Sequence, residues 1–95
     1  MRLTENEINI IKNEIKRKVG NCNIYIFGSR VDDNARGGDV DIYIDKNFDL
    51  KTELRVRKEL KIILEEKLFL PVDIVFKRGN RLIEKEAKKG VLIEG

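Results

Sequence analysis

Apolar residues recur along this chain at two spacings, and the spacings separate helices from strands. Ile8, Ile11, Ile15 and Val19 fall three to four residues apart and predict a helix over residues 5–19. Thr4-Glu5-Asn6-Glu7 ahead of them reads as a capping box, and Gly20 as a stop. Ile24-Tyr25-Ile26-Phe27 is a short β-branched and aromatic run, read as a buried strand that Gly28-Ser29 breaks. Residues 39–45 alternate strictly, with Val40, Ile42 and Ile44 on one side and Asp39, Asp41 and Tyr43 on the other. Asp49 is placed to cap a long helix of about residues 50–69, with Leu50, Leu54, Leu60, Ile63, Leu64 and Leu68 as its expected core face. Pro71 ends that helix and opens a third strand, Val72–Phe76, in which Val72, Ile74 and Phe76 share a face and Asp73 takes the other. Asn80 would cap a last helix reaching about Lys89, stopped by Gly90, and Val91-Leu92-Ile93 fits a short final strand.

The predicted order is α-β-β-α-β-α, in a single domain over residues 1–95 with no internal repeat or linker. A helix joins the second and third strands, which allows a parallel crossover. The loop of residues 30–38 joins the first two and suits an antiparallel pair. The expectation is an α+β fold, a small mixed β-sheet with helices packed against it.

Against that pattern three aspartates stand out. Aspartate is a poor strand former, and a carboxylate on a half-buried surface costs free energy unless a cation joins it. Asp39 and Asp41 leave one face of one strand, with about 6.6 Å between their Cα atoms. Parallel pairing of the second and third strands would bring Asp73 beside Asp41. Three carboxylates on one ledge suit one or two magnesium ions, and magnesium's remaining ligands are commonly phosphate oxygens. The first strand ends in Gly28-Ser29-Arg30. Gly28 would let the backbone approach a phosphate, the Ser29 hydroxyl and following N–H groups would donate to it, and Arg30 would add a charged fork. Singly, each piece has a plainer reading: a turn at Gly-Ser, a solvent-exposed or capping pair at Asp-x-Asp, and an edge-strand gatekeeper at Asp73. One geometry accounts for all three.

Composition removes several rivals. The chain has no histidine, which excludes a Ser-His-Asp triad and the usual zinc sites. Its one cysteine, Cys22, allows no internal disulfide and is read as an inert strand-edge residue. A formal charge of +3 is too small to argue for nucleic-acid binding. The first residues hold no long apolar stretch, so neither a signal peptide nor a membrane span is expected, and a cytoplasmic location is.

Gly28-Ser29-Arg30, then Gly38-Asp39-Val40-Asp41-Ile42-Tyr43-Ile44, then a later strand carrying Asp73, resembles the DNA polymerase beta superfamily of nucleotidyltransferases. Within it the chain is most similar to the minimal nucleotidyltransferases. That resemblance implies that Asp39 and Asp41 bind two magnesium ions and that Asp73 binds the catalytic one and helps deprotonate an acceptor hydroxyl. It implies that Gly28 and Ser29 hold the triphosphate of ATP or another nucleotide, and that a nucleoside monophosphate, AMP for ATP, is transferred. It also implies a partner, a HEPN-type protein neutralised as the toxin of a toxin–antitoxin pair, which would supply the acceptor in a hetero-oligomer.

A haloacid-dehalogenase-type phosphatase also uses Asp-x-Asp, but there the pair follows a strand, whereas here it opens one. The P-loop signature is absent. The alternative from another class is a non-catalytic module that binds a nucleotide or its partner and neutralises the partner by complex formation. Nucleic-acid binding through Arg55-Val56-Arg57-Lys58 is disfavoured, since such a run on a helix is usually a solvated face. Val91-Leu92-Ile93 is read as a core edge strand in preference to a partner surface.

Overall fold

The structure, a computed structural model, describes residues 3–27, 40–77, 85 and 90–94. Helix α1 spans Glu5–Val19, and its start is the expected capping box. Thr4 Oγ1 accepts from the Glu7 N–H at 3.1 Å, and Glu7 Oε1 accepts from the Thr4 N–H at 2.9 Å. Strands β1 (Asn23–Phe27) and β2 (Val40–Ile44) follow, then α2 (Leu50–Leu68), β3 (Val72–Phe76) and β4 (Val91–Glu94). Asp49 caps α2 by accepting from the Thr52 N–H. Phe69 closes that helix in the left-handed region at φ 57°.

The four strands form one sheet in the order β3-β2-β1-β4. β1 is antiparallel to both neighbours, and β2 is parallel to β3 across the α2 crossover. Both pairings expected between the first three strands are present. Val91–Ile93, expected as an edge strand, is part of β4. The last predicted helix, from Asn80 to Lys89, lies outside the described residues apart from Lys85, which is helical and exposed.

Alternation along the strands divides the sheet into two faces. Ile24, Ile26, Val40, Ile42, Ile44, Val72, Ile74, Phe76 and Ile93 form the core with Ile11, Ile15 and Val19 of α1 and Val56, Leu60, Leu64 and Leu68 of α2. Among the described residues, α1 and α2 packed against the four-stranded mixed sheet make this an α+β fold, as expected.

The face of α2 differs from its expected one. Leu50 is 61% exposed and Leu54 45%, Ile63 is half-buried, and Val56 and Glu53 are buried instead. At about 100° per residue, Leu54 sits roughly 120° round the helix from Leu60. It lies on the flank, not on the row of Val56, Leu60, Leu64 and Leu68. Leucine spacing alone could not tell that flank from the core face, because both carry apolar residues.

Charged ties join the two helices, Lys18 to Glu59 at 3.1 Å on the surface and a more enclosed one at Glu14. Glu14, nearly buried on α1, accepts from Lys67 Nζ of α2 at 2.8 Å and from Arg17. The Lys67 hydrogen bond, opposed by burial and aided by Arg17, holds the Glu14 carboxyl below its ordinary range. A depressed carboxyl stabilises the fold above its unfolded pKa, and that contribution is lost as pH falls through the lower folded value. Urea unfolding should therefore show wild type losing more stability than Glu14→Gln as pH drops from about 5 to about 3, around the ordinary glutamate pKa of about 4.3.

Gly90 is the second constraint. A Cβ there would lie 2.1 Å from the Ile26 carbonyl oxygen and 3.0 Å from the Phe27 Cα, both backbone atoms that cannot yield as a side chain would. Gly90→Ala should destabilise the fold by about 2 kcal/mol or more, read as a lower urea midpoint at unchanged slope.

Candidate active site

The strand register brings the acidic residues together. Asp41 pairs with Asp73 across β2 and β3, and with Phe27 across β2 and β1. Neighbouring strands lie about 4.8 Å apart, and paired residues point to the same face. The two carboxylates therefore stand side by side on the face opposite the helices, Asp41 half-buried and Asp73 exposed. Behind them Tyr25, Tyr43 and Val75 form the next row across the sheet. Tyr43 is fully buried and its ring lies 6.0 Å from that of Tyr25, so the carboxylates back onto an aromatic wall.

Like charges directly opposite one another across strands destabilise a sheet. Among the described residues no cation comes within ion-pair distance of Asp73. Two adjacent carboxylates with acceptor oxygens only are a hard donor set, and one Mg²⁺ commonly takes one or two such groups. The pair fits a divalent cation on that chemistry. Among the described residues no group of three acidic, cysteine or histidine side chains converges. Asp39, the third carboxylate of the expected set, lies outside the described residues, as do Gly28, Ser29 and Arg30. In the chain Gly28 directly follows Phe27, the residue paired with Asp41, and Asp39 directly precedes Val40.

Cys22 takes no part. It is half-buried against the core, and burial pushes its thiol pKa up, which keeps it protonated and unreactive at neutral pH.

One feature of the site went unread in the sequence. An open groove of about 390 Å³ runs beside Asp73, lined by Leu54, Arg57, Lys58, Lys61, Asp73 and Ile74. Its basic wall overlaps the Arg55–Lys58 run expected to be a solvated face. The available signal was the spacing of Leu54, Arg57, Lys58 and Lys61, which at i, i+3, i+4 and i+7 share one flank of α2.

Over residues 7–94 the chain matches the family described as polymerase beta, nucleotidyltransferase. The match covers most of the sequence, and the chain belongs to this family of nucleotidyltransferases. No curated protein shows a significant match to it. No helix among the described residues is long and apolar enough to cross a membrane.

If Asp41 and Asp73 share a cation, removing one charge should help the metal-free fold and remove the metal's effect. Asp73→Asn should raise the melting temperature in chelator, by an amount corresponding to a few tenths of a kcal/mol. Wild type should gain about 2.7 kcal/mol with magnesium and ATP at a hundredfold excess over the dissociation constant. A variant that kept the full magnesium-ATP gain would remove Asp73 from the site.

Proposed function

We propose that this chain is a magnesium-dependent nucleotidyltransferase that moves AMP from ATP to a hydroxyl of a HEPN-type partner protein, as the antitoxin of a toxin–antitoxin pair. The observation that supports it most is the register that sets Asp41 beside Asp73, in a chain of the polymerase beta nucleotidyltransferase family. Asp39, Asp41 and Asp73 are the residues that would hold two magnesium ions. Magnesium bound there would orient the triphosphate and offset the charge that develops on the leaving pyrophosphate. Gly28, Ser29 and Arg30 follow β1 in the chain and supply donors of the kind a triphosphate needs.

The acceptor oxygen attacks the α-phosphorus, a P–O bond to it forms, and the bond to pyrophosphate breaks. Asp73, the exposed member of the pair, receives the proton of the acceptor hydroxyl. The partner and its role rest on the resemblance to the minimal nucleotidyltransferases. No histidine or reactive cysteine is required, which agrees with a chain that lacks the first and half-buries its one cysteine against the core.

Incubation with magnesium, ATP labelled at the α-phosphate and the purified protein of the adjacent gene tests the reading. Label should appear on that protein and fall to background with Asp41→Asn. Label confined to a small molecule or to nucleic-acid ends would remove the partner and keep the chemistry. A tight complex without label would establish a binding module in place of an enzyme.

A further inference from the structure

Among the described residues β3 is an edge strand with one side unpaired in the sheet. Pro71 O accepts from the Val40 N–H, and the Lys77 N–H donates to Ile44 O, so residues 71, 73, 75 and 77 turn their backbone groups toward β2. Val72, Ile74 and Phe76 turn theirs outward. At Val72 the outward groups are met by α2: Lys61 Nζ donates to its carbonyl at 2.7 Å, and its N–H donates to Glu65 Oε2 at 2.9 Å. This shows that one flank of α2 overhangs the open edge. At Ile74 no described residue meets the outward N–H and C=O.

The two elements also match in pitch. One turn of helix rises about 5.4 Å and two strand residues span about 6.6 Å. Moving along the groove, Lys61 stands at Val72, and Arg57 and Lys58 line the wall by Ile74. Neither Arg57 nor Lys58 has an ion-pair partner among the described residues. Leu54 continues the wall, and Leu50, one turn earlier on the same flank, is still more exposed.

We infer that this edge is the acceptor-docking site, and that its occupant is an extended acidic segment of a partner protein laid as an added strand beside β3. The inference rests on the proposed transfer to a protein hydroxyl and names how that acceptor is recognised. Successive residues of an added strand alternate between the faces of the sheet. A hydroxyl-bearing residue opposite Asp73 would project onto the carboxylate face. The chain neighbour opposite Ile74 would project to the α2 side, where Arg57 and Lys58 wait, and the one opposite Val72 would meet the Lys61–Glu65 pair. The recognised sequence is therefore a tyrosine, serine or threonine with an acidic residue at the adjoining position opposite Ile74, before or after it according to the direction of the added strand. Main-chain pairing at Ile74 supplies affinity and the basic wall supplies selection, the usual division of work when a peptide extends a sheet. A nucleic-acid strand fits less well, because among the described residues the groove offers no aromatic ring for a base to stack on.

The test is fluorescence anisotropy with a short capped peptide carrying one tyrosine between two glutamates, titrated to millimolar concentration against the full chain. The peptide should bind. The same peptide with lysines for glutamates should bind at least about tenfold more weakly, and so should one N-methylated along its backbone. The Arg57→Glu/Lys58→Glu double variant should reverse the preference and take the lysine peptide, which also shows that the variant is folded. No binding by wild type, equal binding of the acidic and basic peptides, an unchanged preference in the variant, or tighter binding of a single-stranded oligonucleotide would each overturn the inference. The magnesium-ATP melting shift of wild type is measured alongside. A shift without peptide binding sinks the docking edge alone, and peptide binding without a shift sinks the transferase reading alone.

Discussion

The parallel pairing of β2 with β3 is the contact on which the other features depend. It requires α2 to carry the chain back along the sheet, and it places Val72 beside Val40 and Asp73 beside Asp41. A slip of one residue would turn Asp73 into the core and Ile74 or Val72 onto the open face. The cost of burying an unpaired carboxylate, set against the gain from burying three apolar side chains, makes that slip prohibitive. The residues that fill the core thus hold the acidic residues in register, and the chemistry-bearing face inherits its geometry from the packed one.

The two faces carry different burdens. The helix face is apolar and closed, fastened at its rim by Glu14 between Arg17 and Lys67 and by Lys46, whose ammonium donates to the Val19 carbonyl at the end of α1. The other face gathers Asp41 and Asp73 with Tyr25 and Tyr43. Asp41 and Asp73 set two carboxylates opposite one another on that face, and like charges so placed cost a sheet stability. Stability surrendered at a site in this way is recovered when a ligand of opposite charge arrives.

Much of this was legible in the sequence, for physical reasons that can be named. α1 was readable at both ends because Thr4, Glu7 and Gly20 are local signals that need no tertiary contact. β2 and β3 were readable because a strand with one buried face alternates, and the aspartates stood out because they break the apolar composition without breaking the period. α2 was readable in extent but not in orientation. Leu50 and Leu54 look like core residues until the sheet decides which arc of the helix it covers, and Glu53, buried among the core-facing positions, looks like a surface residue. The intimate contact of Gly90 with β1 was equally hidden, since a glycine after a predicted helix looks like a stop whatever it touches. The basic wall of the groove was missed because a run of adjacent charges conceals that only some of them share a flank. Asp39, Gly28, Ser29 and Arg30 remain known by sequence and chain adjacency to β1 and β2.

The bracket that Lys61 and Glu65 place on Val72 has a kinetic consequence. An unprotected edge strand can be extended along its whole length, and chains joined in that way separate slowly. With its first outward residue already occupied, β3 leaves few ladder positions to any visitor. Association there begins at the same encounter rate but ends sooner, because each bond withheld shortens the lifetime of the complex. An edge trimmed in this way favours visitors that come and go over neighbours that stay, and guards the molecule against stacking end to end into a ribbon.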